Sequence, residues 1–169
     1  MPIDGCPYTF EKLAAEVLPK HFASLLAAKD TAHDASVFAA HKSATRKLLS
    51  ELALKKDIPG CYVFYDGEKP MYVGTSRAVV SRLTQHLSSG SANSATLAYG
   101  LAKKDRPMKG NPDTRMADPE FDGVFTAHRD QLRSMRVAFV QISDPVTMYL
   151  FEVYAAMKLD TRWNHFRTH

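Results

Sequence analysis

A chain of 169 residues with 45% hydrophobic content can bury one real core and a small appended subdomain, but hardly two independent domains. Its apolar runs are broken by Lys, His, Asp or Ser well short of the roughly 18 residues that a membrane span needs. Residues 1–12 show no secretory pattern, so a soluble, cytoplasmic protein is expected. The formal net charge of +4 suits a polyanionic partner without demonstrating one.

Helical spacing of Phe10, Leu13, Ala14, Val17, Phe22, Leu25 and Leu26 predicts a first helical segment, kinked or split by Pro19. A second helix is predicted from Asp34 as N-cap through Val37, Phe38, Ala44, Leu48, Leu49 and Leu52, ending near Lys55-Lys56-Asp57. The period then changes: residues 60–65 and 71–74 are β-rich runs around the turn chemistry of Asp66-Gly67-Glu68-Lys69, which reads as a hairpin. Cys61 lies in the first run, and with Cys6 so far away a buried free thiol is expected rather than a bridge. Thr75 or Ser76 can cap a helix with apolar positions Val79, Val80, Leu83 and Leu87, which leaves Arg82 and His86 one turn apart. Helices are expected near 95–103 and 121–132, with a polar loop through 104–118 between them. A third strand is expected at 136–142. Asp144 and Pro145 then open a last helix, whose expected buried face is Val146, Tyr149, Leu150, Val153 and Met157.

Gly60-Cys61-Tyr62, Tyr72-Val73-Gly74, Arg82 on the next helix, Glu152 on a later helix and Asn164 beyond it resemble, in order and spacing, the GIY-YIG nuclease family. Tyr62, Tyr72 and Arg82 follow one another at ten-residue intervals, and Glu152 precedes Asn164 by twelve. The layout is similar to the nuclease module of excision-repair endonucleases and to several restriction enzymes, and it covers residues 58–166. The fold expected is α+β, a small three-stranded, mainly antiparallel sheet flanked by helices. A nuclease domain at 58–169 would carry an inserted segment at 91–134, behind an N-terminal helical extension at 1–57.

The resemblance implies a metal-dependent endonuclease, with DNA as the expected nucleic acid and Mg2+ or Mn2+ as cofactor. Phosphodiester hydrolysis needs an activated water, neutralised phosphoryl oxygens and help for the leaving group. Glu152 is the candidate metal ligand, because one carboxylate with waters and a phosphate oxygen completes the octahedral shell magnesium prefers. Arg82 offers a permanently charged donor to the phosphate. Family resemblance gives Tyr62 the role of general base or base-positioning phenol and Tyr72 a supporting hydrogen bond, while Asn164 reads either as a loop residue or as an amide that tethers the chain end near the site. A free phenol ionises near pH 10, so such a site depends on its cations. Each residue also has a plain structural reading: tyrosine is common in strands, and helical arginines usually face solvent. Flanking by Gly60 and Gly74 favours the site for the tyrosines. His86 reads equally as a core or surface histidine and as the histidine that some restriction enzymes carry one turn after the arginine. Glu152 sits within Tyr149-Leu150-Phe151-Glu152-Val153-Tyr154, where an unpartnered carboxylate would be costly.

One departure is plain: many relatives place a lysine after the second glycine, where this chain has Thr75, with Arg77 and Lys69 nearby. Arg77, Lys103, Lys104, Arg106, Lys109 and Arg115 are the expected phosphate contacts, most of them on a loop made mobile by Gly110 and Pro112, although a solvated loop with no ligand fits equally well. Two rival functions remain open, a nuclease-like module that binds without cutting, and a toxin or mobile-element nuclease. The N-terminal helices could engage a protein partner or a second copy of the chain, or pack on the chain's own sheet.

Overall fold

The structure is a computed structural model that describes residues 3–166. In chain order the main elements are α1 (Phe10–Lys12), a π turn (Leu13–Val17), α2 (Leu18–Asp30), β1 (His33–Asp34), α3 (Ala35–Ala39), α4 (Arg46–Glu51), β2 (Gly60–Asp66), β3 (Lys69–Ser76), α5 (Val79–Ser88), α6 (Thr96–Asp105), α7 (Pro112–Met116), α8 (Pro119–Arg133), β4 (Arg136–Gln141) and α9 (Pro145–Leu159). The chain divides into two compact units. A sheet unit draws on residues 1–33, 58–79 and 136–169, and a helical unit on 34–57 and 80–135. Among the described residues no helix is long and apolar enough to cross a membrane.

The class is α+β as expected, with one correction. The sheet has four strands in the order β1-β4-β2-β3, not three. The extra strand, His33–Asp34, is two residues long, too short to leave an alternating pattern in the sequence. In the centre, β2 pairs antiparallel with β3 on one side and with β4 on the other, so Gly60 lies between Ser76 and Gln141, and Cys61 between Thr75 and Val140. Because side chains alternate along a strand, Cys61, Val63, Val73 and Tyr65 share one face. They form a core there with Leu18 and Leu25 of α2 and with Met148, Phe151, Ala155 and Ala156 of α9. Leu18 and Leu25 of the N-terminal helical segment are thus covered by the chain's own sheet, whereas Phe10 and Leu26 of the expected apolar stripe are exposed.

The buried face of α9 is also corrected. Tyr149, Val153 and Met157 are exposed, whereas Thr147, Met148, Phe151, Ala155 and Ala156 are buried. A helix with four consecutive large apolar residues (148–151) has no unique stripe, and the alanines let it approach the sheet closely. Its start is as expected: Asp144 caps it, accepting from the Thr147 N–H at 2.7 Å, and Pro145 occupies the first turn. Pro19 does not break the first segment; a single π turn precedes it, with the Leu18 N–H bonded to the Leu13 carbonyl.

In the helical unit the predicted second helix is two short ones. Thr45 accepts from the Leu48 N–H and so caps α4, which ends the continuity that Val37 to Leu52 suggest. The expected polar loop at 104–118 holds α7, capped by Asn111. At the start of α5, the Asp57 carboxylate accepts from the Val80 and Ser81 N–H groups, both at 2.9 Å.

Candidate active site

The two glycines of the paired tripeptides are dictated by close packing. A methyl group on Gly60 would lie 2.0 Å from the Val140 carbonyl oxygen, and one on Gly74 would lie 2.5 Å from the Tyr62 hydroxyl. Tyr62 and Gly74 are direct partners across β2 and β3, so the phenol lies over the bare backbone of β3. Tyr72, opposite Phe64, is on the same face, its ring centroid 6.3 Å from that of Tyr62. Tyr62 is 1% exposed, whereas Tyr72 is half-buried.

Thr75, the next residue on β3, faces the other way, toward α9. Its hydroxyl donates to Glu152 Oε2 at 2.8 Å. Burial raises the Glu152 carboxyl above its usual pKa, opposed by this hydrogen bond. The same burial, with the Glu152 charge as a second cause, drives the Cys61 thiol far up; both cysteines are free and buried. The register therefore puts the two tyrosines and Glu152 on opposite faces of the sheet. On the edge strand the two faces are one residue apart, since Gly74, which the Tyr62 phenol overlies, directly precedes Thr75. Thr75, noted in the sequence as a missing lysine, is the direct partner of the carboxylate.

Asn164 pairs with one peptide of that strand. Its Oδ1 accepts from the Val73 N–H and its Nδ2 donates to the Val73 carbonyl, both at 2.8 Å. The Thr161 hydroxyl also donates to Oδ1 at 2.8 Å, and the Trp163 N–H donates to the Met71 carbonyl. The chain end is thus laid along the outer edge of β3, where Asn164 acts as a tether.

In the helical unit, Arg82 is held by its own surroundings: Nη1 donates to Gln85 and to the Ser94 carbonyl, and Nη2 to the Thr96 hydroxyl. His86 is 1% exposed, and desolvation, helped by the Arg82 charge, lowers its pKa to about 3. It is a neutral interior histidine. Arg115 donates to the Met108 carbonyl (2.8 Å) and the Tyr99 hydroxyl (2.9 Å), and Arg106 pairs with Asp118 and Glu120. These bonds and α7 give shape to a loop expected to be mobile. Arg77, Lys103, Lys104 and Lys109 are exposed. Two contacts escaped the sequence reading. Asp57 lies 23 residues before Val80 and leaves no local capping signal, and the Thr75–Glu152 pair spans 77 residues.

Among the described residues no three His, Cys, Asp or Glu side chains cluster as metal ligands. Glu152 is left as a single half-buried carboxylate whose proton affinity is raised, the state a bound cation would relieve.

No profile of a known protein family matches the sequence, and no curated protein matches it. Three solved structures of the GIY-YIG N-terminal endonuclease domain of UvrC from Thermotoga maritima are similar to this chain, each a tyrosine-to-phenylalanine point mutant bound to its catalytic divalent cation. Two have TM-scores of 0.39 at 12% identity and cover 98% of that domain, and the third has 0.37 at 13% and covers 99%; each match spans 72% of this chain.

Proposed function

We propose that this chain is a divalent-metal-dependent endonuclease that hydrolyses phosphodiester bonds in nucleic acid, with DNA as substrate. The observation that carries the proposal is the edge-strand arrangement, in which Thr75 holds a half-buried Glu152 one residue from the glycine that the Tyr62 phenol overlies. Glu152 is the residue to hold Mg2+ or Mn2+, and a single carboxylate suits a hard cation that keeps several waters and takes its remaining oxygens from a phosphate. When bound, the cation supplies charge neutralisation and an acidified water. Thr75 orients the carboxylate. Tyr62, buried, positions the edge strand and its phenol, whereas the half-buried Tyr72 is the better placed of the two to exchange a proton with solvent. By its place in the motif, Arg82 is the phosphate-binding cation, presented already ordered by Ser94 and Thr96.

The tying of Arg82 by three partners favours a second reading, a module that binds nucleic acid without cutting it. One assay separates the two: duplex, single-stranded and branched DNA and RNA are incubated with Mg2+ or Mn2+ or with chelator, across neutral to mildly alkaline pH. The nuclease reading expects DNA products that appear only with metal, increase with pH, and fall by roughly 100- to 1,000-fold in Glu152→Gln. Retention on gels without products is the outcome for a binding module. Undiminished cleavage in excess chelator, or by purified Glu152→Gln, overturns the proposed role of the carboxylate.

A further inference from the structure

The face of α9 that turns away from the core is apolar as well. Tyr149, Val153 and Met157 recur at every fourth position and are 64%, 40% and 77% exposed. They are three of the eight large apolar side chains exposed among the described residues, and they form one row on one helix. Water is a costly neighbour for such a row, which marks it as a surface with a use. Glu152 stands at the border of that row, with the buried Met148 and Ala155 on one side of it and Tyr149 on the other. Side chains three apart on a helix are neighbours, with Cβ atoms about 5–6 Å apart, and each leans toward the helix N-terminus. The Glu152 carboxylate therefore extends over the turn that carries Tyr149.

The direction of α9 fixes what lies next to this tyrosine. Glu152 meets Thr75, and past the helix end Trp163 donates to the Met71 carbonyl and Asn164 pairs with Val73, so α9 runs against the direction of β3. One turn before Glu152, Tyr149 lies beyond Thr75, on the side of Ser76 and Arg77. Arg77 is exposed and forms no salt bridge among the described residues. The acid at the start of the helix, Asp144, is taken up in capping it, where it accepts from the Thr147 N–H and hydroxyl. The carboxylate is thus flanked by a flat, exposed ring and an exposed guanidinium, the pairing that holds bases and phosphates of a single strand without regard to sequence. A strand that presents a phosphate at Glu152 has its next base within one nucleotide of the carboxylate, which is where Tyr149 stands. We infer that Tyr149 is a base-stacking platform of the candidate site, which takes an unpaired base beside the scissile phosphate while Arg77 holds an adjoining phosphate. This rests on the nuclease reading above for the identity of the phosphate at Glu152. Inside a closed duplex both faces of every base are covered by its neighbours. The platform therefore selects strands that offer an unstacked base: single strands, and the forks of branched DNA.

The test uses the full chain with Ca2+, a hard cation that takes the same oxygen ligands, and binding is read before any product forms on gels. The probes are single-stranded, forked and closed-duplex DNA carrying 2-aminopurine, whose fluorescence falls when it stacks on an aromatic ring. The platform expects that fall with the single-stranded and forked DNA, which should bind about tenfold or more tighter than the closed duplex. Tyr149→Ala should abolish the fall, weaken binding to the open forms by about 5- to 150-fold, the worth of one base–aromatic stack, and level the preference. Tyr149→Phe keeps the ring and should retain all three properties, and both variants should melt as the wild type does because the side chain is exposed. A fluorescence fall that survives Tyr149→Ala, or binding of the open forms by that variant within about twofold of wild type, overturns the platform. So does a wild type that sediments as a dimer and a Tyr149→Ala monomer of unaltered DNA affinity, since a second copy of the chain then covers the row. The two proposals fail separately. Absence of products with Mg2+ or Mn2+ in every condition, with the Tyr149-dependent fall intact, sinks only the nuclease reading, and metal-dependent cleavage with wild-type affinity and preference in Tyr149→Ala sinks only the platform.

Discussion

The sheet unit and the helical unit use the same residue types for different ends. In the sheet unit Gly60 and Gly74 occupy points where a methyl group would collide with a carbonyl or a phenol, whereas Gly100 and Gly123 on α6 and α8 face open space. In the helical unit most arginines are internal cross-links: Arg82, Arg115, Arg129 and Arg133 donate to the carbonyls of Ser94, Met108, Ser89 and Leu87, and Arg106 pairs with carboxylates. The planar, five-donor guanidinium suits that work, and the lysines remain on the surface. A count of basic residues therefore overstates the charge that a region offers to phosphates. A glycine in a motif is informative when its neighbours leave no room for a side chain.

The largest test of this contrast is a pair of identical substitutions. Gly60→Ala should cost about 3 kcal/mol or more, because the obstructing atom is backbone and cannot swing aside. Gly100→Ala, in an open helical position, should stabilise by up to about 1 kcal/mol. Chemical denaturation of both variants checks this, and equal effects would dissolve the distinction between the two sets of glycines.

Next in size is an acid sensitivity lodged in the helical unit. The folded-state pKa of His86 is lowered to about 3, below its unfolded value of 6.5. Its contribution is therefore complete above pH 6.5 and is lost as pH falls toward 3, because only the unfolded chain takes up the proton. Between pH 6.5 and 5 this amounts to about 2 kcal/mol. Denaturation across that range should show the slope in the wild type and lose it in His86→Gln; an unchanged slope would place the acid sensitivity elsewhere.

Smaller is the division between cross-linking and surface cations. Arg115→Ala should lower stability by about 1 to 2 kcal/mol through loss of its bonds to Met108 and Tyr99. Lys103→Ala/Lys104→Ala should leave stability within about 0.5 kcal/mol and instead weaken nucleic-acid binding with a flatter salt dependence. Salt-titrated binding and thermal melts on both variants decide it, and unchanged affinity for the lysine pair removes it from the interface.

The smallest expected stability effect falls on the residue with the largest expected role in chemistry. A carboxyl whose folded-state pKa is raised is most favourable when protonated, so ionised Glu152 detracts from stability as pH rises through the folded value. The neutral amide of Glu152→Gln escapes that cost and can still accept from Thr75. Without metal the variant should be as stable as the wild type or slightly more so, within about 1 kcal/mol at pH 7. Marked destabilisation would assign Glu152 a structural role.

Local chemistry made much of this molecule legible. The hairpin, the Asp144-Pro145 helix start and the β4 segment each carry their signal within a few residues, because caps, turns and strand alternation are short-range effects. The ordered spacing of Tyr62, Tyr72, Arg82, Glu152 and Asn164 came from the sequence alone. Tertiary structure decided what no local window contains. The rotation of α9 depended on where two alanines could meet the sheet, and the two-residue β1 exists only as a partner for β4. The Asp57 cap of α5 and the Thr75–Glu152 bond join segments distant in the chain. Alternation along β3, once its register with β2 is set, places Tyr72 and Thr75 on opposite faces of one strand, which the spacing of the motif does not contain.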